Sequence, residues 1–447
     1  MDFNILDYGA CTEYDNNNIY IQKAIDDCFK HNGGRVIVPS GLTFYTGSIV
    51  LKSNVELHLE NNSCLKASNN IKDFNLFNKK INCDEKLLVP SYQDCEYNGM
   101  PYLFLIYSKD SINVSITGLG KIDGNEEIFY GEQDQYQIDG RFYPRMPLIF
   151  LENVTNLVVK DVTLQNSAFW TLHMLGCKDV EVNSIKILNN LKMVNCDGID
   201  PDHCQNVRIS NCYIHTCDDA IVFKNTENGQ HYGDCENICV SNCNLVTTSG
   251  AIKFGSESWN NFKNIIVSNC NIFNSNRGIT IQLRDKGNIE NCIFSNINFD
   301  TRIFSKKQYW GASEPICITA IKRFENTNVG FIKNLSFSNI NASSENGIMI
   351  YGENIDNKSN ISEIYFDNVN LNISNKSKWP KNIKDIRPTY HPNLIEGKLN
   401  VLYLNNCSNI EFNRFKYKVD DNIIDKLGDE FIFNNSSNIV INRKEYK

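Results

Sequence analysis

Three stretches of this chain repeat one seven-residue phrase: Asn206-Val-Arg-Ile-Ser-Asn-Cys212, Asn237-Ile-Cys-Val-Ser-Asn-Cys243 and Asn264-Ile-Ile-Val-Ser-Asn-Cys270. With Ser295-Asn296 added, the Ser-Asn pairs begin at 210, 241, 268 and 295, a spacing of 31, 27 and 27 residues. Fainter copies begin at Asn113, Asn156, Asp179, Asn334 and Glu363. Each copy alternates apolar and polar residues, the pattern of a strand with one buried face. So short a strand cannot bury that face alone, but a stack of copies can. A period of this size, with several strands and Asn/Gly turns in each, predicts an all-β chain coiled as a β-solenoid, not a sandwich.

The repeat also decides how to read the 17 cysteines. Cys212, Cys243 and Cys270 follow Ser-Asn at a position that Ile297 and Ile340 fill in later copies. A slot that takes Cys or Ile is buried and apolar. No C-x-x-C pair has zinc spacing, and the total is odd. Most cysteines are therefore expected to be reduced core residues, and neither metal nor cofactor is implied.

Ahead of the repeat, Ile19 to about His31 has helical spacing, with Asn17 or Asn18 as a possible cap and Gly33-Gly34 as a stop. An open solenoid end needs a cover, so residues 1 to about 50 are expected to form an N-terminal cap and first coil. Insertions interrupt the pattern at about 70–100, 125–145 and 302–315, the last carrying Tyr309-Trp310, and again at 376–393 with Trp379, Arg387 and Pro388. Such insertions project from one face and shape a groove. With no long Pro/Ser-rich linker, one domain over residues 1–447 is expected. A net charge of -8 argues against a nucleic-acid partner. No apolar run reaches a membrane span, and Met1-Asp2-Phe3-Asn4 starts no leader, so a cytoplasmic location is expected, or an extracellular one if an upstream signal was removed.

Chemistry concentrates at Asn195-Cys196-Asp197-Gly198-Ile199-Asp200 and at Asp218-Asp219. Asp197-Gly-Ile and Asp219-Ala-Ile are the same step of the repeat, and Gly250-Ala-Ile, Arg277-Gly-Ile and Asn346-Gly-Ile continue the column. Neighbouring coils lie about 4.8 Å apart, so Asp197, Asp218 and Asp219 are expected to cluster. Crowded carboxylates cannot all ionise normally, which suits acid/base work. Alternation turns Asp200, Val222, Lys253, Thr280 and Met349 outward, with Lys224, Gln282 and Tyr351 two positions on. Asp218 and Asp219 can share a face only if the chain bends there.

These motifs resemble the polygalacturonases, glycoside hydrolase family 28. The family's Asn-Thr-Asp-Gly-(Ile/Phe)-Asp is similar to residues 195–200, with Cys196 in place of Thr, and its Gly-Asp-Asp is similar to Cys217-Asp218-Asp219. The likeness also takes in Asp7-Tyr8-Gly9, Leu51-Lys52-Ser53-Asn54, Gly118-Leu-Gly-Lys-Ile-Asp-Gly124 and Phe169-Trp170-Thr171-Leu172-His173, and loosens beyond about residue 285. It implies a right-handed parallel β-helix and an oligosaccharide or polysaccharide substrate. It further implies Asp218 as general acid, Asp197 and Asp219 as the groups activating water, and Asn195 as their orienting partner. It implies inversion, whereas a spacing of roughly 5 Å by itself is the retaining distance.

Two departures stand beside it. The family's Gly-His-Gly aligns with Ser249-Gly250-Ala251, which removes a histidine. Its Arg-Ile-Lys aligns with Thr280-Ile281-Gln282, which removes two cations that hold a uronate carboxylate. Lys253, Arg277 and Arg284 are candidate substitutes, since Arg can grip a carboxylate with two bonds. The expected substrate-binding set is thus Asn195, Lys224, Lys253, Gln282 and Arg284, with Trp310 and Tyr351 as sugar platforms. His203 reads as a turn residue, His173 as a packed one. The favoured reading is an exo-acting hydrolase of α-linked, pectin-derived oligosaccharides. A β-helical binding protein without catalysis is the alternative, and a lyase with Lys253 or Arg284 as base is a third.

Overall fold

The computed structural model describes residues 1–76, 103–305, 310–391 and 394–446. The expected insertion at about 70–100 lies mostly outside the described residues, as does Tyr309. Two compact units divide the chain, Met1–Asp218 and Asp219–Lys447. No helix among the described residues is long and apolar enough to cross a membrane.

In the first unit, parallel strands stack in register. Ile49 pairs with Ile106, Ile106 with Ile149, Ile149 with Leu172, and Leu172 with Ile199. All five are fully buried, so the column is a core built by repetition. The helix Asn18–Lys30 turns Ile21, Ala24, Ile25 and Cys28 inward against this stack. Asn17 precedes it but makes no side-chain cap; its amide bonds the backbone of Cys11 and Tyr45 instead. Past the helix, Gly33 adopts φ 109° and passes so close to Asn54 that a Cβ would stand 2.3 Å from the Asn54 carbonyl oxygen.

The second unit repeats the plan. Phe223, Phe254, Ile281, Ile318, Ile350 and Leu404 form one buried column. The interchangeable slot is as expected: Cys270, Ile297, Ile340, Val369 and Phe415 occupy it in turn. Among the described residues 15 cysteines are unpaired thiols, and all but Cys11 and Cys239 are buried. Phe294, Phe337, Phe366 and Phe412 stack face to face, their centroids 4.7, 4.8 and 4.3 Å apart.

The phrase-opening asparagines form a ladder along the stack. Asn237, Asn264, Asn291 and Asn334 all have φ between 55° and 58°, the left-handed region that Asn tolerates. Each donates to the one before it, Asn264 to Asn237 at 3.0 Å, Asn291 to Asn264 at 3.4 Å and Asn334 to Asn291 at 2.7 Å.

Two expectations need correction. One coil was missed: Ile279 pairs with Ile316, so Glu314-Pro315-Ile316 stands between the Arg277 and Asn346 steps. A Pro where other copies have Gly or Ala, directly after an insertion, hid it. Further, the outward column is not open to solvent. Thr280, Cys317 and Met349 are buried, and Ile386, from the last insertion, packs with Cys317, Ile321 and Met349 under Ile395. Buried ion pairs fasten that insertion. Lys381 lies 3.0 Å from Glu345, and within the insertion Arg387 bonds both oxygens of Asp385 at 3.0 and 2.6 Å while the Asp385 carbonyl accepts from buried Arg277 at 2.6 Å.

Candidate active site

In the first unit, residues 195–200 run into the strand Ile199–Asp202. Asn195 has φ 55°, which tips its N–H toward Asp218; that N–H donates to Asp218 Oδ2 at 3.2 Å. Beneath it lies Arg145, fully buried, whose guanidinium donates to Ala168 O at 2.7 Å, Phe142 O at 3.4 Å, Val194 O at 2.6 Å and Asn195 Oδ1 at 3.3 Å. It also faces the Phe169 ring at 5.3 Å. Burial brings the guanidinium down to about 10. Asn189 braces the other side, its amide donating to Thr171 Oγ1 at 2.8 Å, Cys196 O at 3.2 Å and Thr216 Oγ1 at 3.1 Å.

Asp197 is buried and Asp218 half-buried, and a carboxylate oxygen of each lies within 4.8 Å of the other. The strand Tyr213–Thr216 ends just before, and the chain bends at Cys217 and Asp218, as two consecutive acids require. Cys196 keeps this bend in place, since Cys217 N–H donates to its sulfur at 3.4 Å. Oxygens this close can share a proton or a hard cation. The neighbouring Asp202 accepts from buried His173 at 3.2 Å, and His173 packs against Trp170 and Phe150, a packed histidine as expected. His203 has the φ of a turn, 51°, but is fully buried.

In the second unit, Asp219 is 2% exposed and heavily bonded. Ser249 Oγ donates to Oδ1 at 2.9 Å, Gly250 N–H to Oδ1 at 3.0 Å, and Lys253 Nζ to Oδ2 at 2.6 Å. Donors on both oxygens make Asp219 an acceptor, the setting of a base. Lys253 therefore sits on the acid, where the sequence suggested a substrate ligand. Lys224 is buried on the strand Ile221–Asn225.

The remaining candidates hold protein. Gln282 Nε2 donates to the Arg387 carbonyl at 3.0 Å. Arg284 is fully buried and donates to the carbonyls of Leu283, Thr319, Ile386 and Pro388; burial lowers its guanidinium to about 9. Arg277 is buried and donates two hydrogen bonds to Glu314, at 2.7 and 3.1 Å, and one to Asp385 O at 2.6 Å. As substitutes for the missing cations, Arg277 and Arg284 are placed wrongly: both anchor backbone or a buried carboxylate. Trp310 is half-buried, with the Arg387 guanidinium 5.3 Å from its ring centre. Tyr351 is half-buried against the Met349 cluster. Sequence reasoning missed Arg145, Asn189 and the Ser249 hydroxyl. Only Ser249 left a trace, as a departure from Gly-His-Gly.

Comparison with known proteins adds independent findings. The profile of "Glycosyl hydrolases family 28" matches residues 28–391. A probable polygalacturonase from Vitis vinifera is 30% identical over 219 residues, which are 47% of this chain and 42% of that protein. An exo-poly-alpha-D-galacturonosidase from Dickeya chrysanthemi is 28% identical over 262 residues, 49% of this chain and 41% of that protein. The chain thus spans about two-fifths of the length of these relatives. Among solved structures, an exopolygalacturonase from Thermotoga maritima superposes with a TM-score of 0.68 at 20% identity, covering 100% of this chain and 93% of that one. That likeness establishes the fold as the right-handed parallel β-helix.

Proposed function

The chain belongs to glycosyl hydrolases family 28, and on that premise we propose an O-glycosyl hydrolase that removes α-linked, pectin-derived sugars from chain ends. The observation that carries the proposal is the opposite setting of two consecutive acids. Asp218 is half-buried and accepts from the Asn195 backbone N–H, while Asp219 is buried and accepts from the Lys253 ammonium, the Ser249 hydroxyl and the Gly250 N–H. Environment separates such pairs into a proton donor and a proton acceptor. In this reading Asp218 gives its proton to the glycosidic oxygen as the bond to C1 breaks. Asp219 and Asp197 take the proton of the water whose oxygen forms the new bond to C1. Asn195 orients Asp218, and no metal takes part. The names of the Dickeya and Thermotoga proteins support exo action. Carboxylate oxygens within 4.8 Å match the retaining distance, whereas membership in the family supports inversion, and the reaction proposed is a single inverting displacement by water.

The test is a panel of pectic oligosaccharides with wild type and Asp218→Asn, scored for reducing ends, ultraviolet absorbance and, by proton NMR, the first anomer formed. Expected are single sugars from one end, no absorbance from an unsaturated product, an inverted anomer, no effect of a chelator, and a loss of at least about 100-fold in Asp218→Asn. Binding without turnover in both proteins would leave a carbohydrate-binding protein. Absorbance would leave a lyase.

A further inference from the structure

Gly250 stands where the resemblance expects a histidine, and the structure shows why a side chain is absent. A Cβ on Gly250 would come 3.1 Å from Asp219 Oδ1 and 3.2 Å from Thr280 Oγ1. The first contact requires the carboxylate to give by a few tenths of an ångström, and the second requires the same of the Thr280 hydroxyl. In return, the bare backbone brings its N–H to 3.0 Å from Oδ1. Ser249 donates to the same oxygen, and Lys253 reaches the other at 2.6 Å.

Lys253 arrives there by register. It lies on the strand Gly250–Ser258, paired with Val222 on one side and Thr280 on the other. Its side chain is 14% exposed, against 2% for Asp219. A pair this buried gains little net stability, because desolvation offsets the attraction. What it supplies is geometry: an ammonium on one oxygen and two donors on the other leave the carboxylate one orientation.

We infer that Ser249, Gly250 and Lys253 together replace the missing histidine by fixing Asp219 as the base, with Lys253 a positioning residue and not a ligand of the substrate carboxylate. The inference rests on the hydrolase reading above. A carboxylate turned away from the attacking water loses rate, not affinity. A ligand of the substrate would show the reverse.

The experiment compares wild type, Lys253→Met and Lys253→Arg on an oligogalacturonide and on its methyl ester, with thermal melting as the control for folding. Lys253→Met is expected to lower kcat about 10- to 100-fold with KM within about twofold, by the same factor on both substrates. Lys253→Arg, which can still reach Asp219, is expected to recover at least about a tenth of wild-type kcat. A loss confined to KM and to the free acid would overturn the inference, as would an unchanged kcat. Should Lys253→Met fail to fold, Ser249→Ala carries the same test, with an expected fall in kcat of about 3- to 10-fold. Wild type inactive on every substrate sinks the hydrolase reading and this inference with it; an active wild type beside an equally active Lys253→Met sinks the inference alone.

Discussion

Two regions present acids here, and each uses a cation differently. Around Asn195, Arg145 donates its hydrogen bonds to neutral oxygens, three carbonyls and one amide. It shapes the backbone that carries Asp197, and its hydrogen bonds go to neither acid. Around Asp219, Lys253 bonds the carboxylate itself. A planar guanidinium with five N–H groups can gather several carbonyls at once; a compact ammonium suits one point of charge. One cation therefore sets where a reactive group stands, and the other sets how it points.

Breaking the first side should have the larger effect. Arg145→Met would leave buried acceptors at Val194 and Ala168 without their donor, a destabilisation on the order of 3 kcal/mol. The expected result is a fall in Tm seen by calorimetry, with activity lost alongside. Gly250→Ala sharpens the second side. Its methyl must displace Asp219 by a few tenths of an ångström, so kcat should fall several-fold while Tm changes little.

The smallest effect concerns acid. Burial opposes ionisation of Asp385 and Glu345, yet Arg387 overcomes it at Asp385, and backbone N–H groups with Lys381 do so at Glu345. Both carboxyls are held below their ordinary values of 3.8 and 4.5. Groups so depressed stabilise the fold above those values and cease to do so as pH falls through the lower, folded ones. Residues 376–391 should therefore gain hydrogen-exchange rate below about pH 4, before the strand columns do.

What the sequence disclosed was whatever the repeat carried. The Asn phrase predicted the stacked strands, the Cys/Ile exchange predicted a buried slot, and the paired acids marked the site. What it hid depends on contacts between distant residues. An outward Arg on a solenoid face reads as solvent or ligand contact, because nothing near Arg284 says that residues 386–388 fold back over it from 102 to 104 positions away. Arg145 lies in an insertion between Pro144 and Pro147, outside the repeat, where no periodicity weighs on it. Lys253 was visible but its partner was not, since alternation gives a face and not a bond.

The asparagine ladder has a bearing on how such a molecule can change. Asn269 and Asn296, the second residues of two Ser-Asn pairs, are 27 positions apart, Asn296 and Asn339 are 43 apart, and both rungs measure 3.0 Å. The circumference of a coil is thus negotiable while its pitch is not. Chain added between rungs leaves the neighbouring floors untouched, so reach and selectivity can be altered by lengthening a loop. A single residue gained or lost inside the Asn phrase would instead turn every inward side chain of that strand outward. Variation among relatives built this way should accumulate as whole excursions around an unvarying staircase.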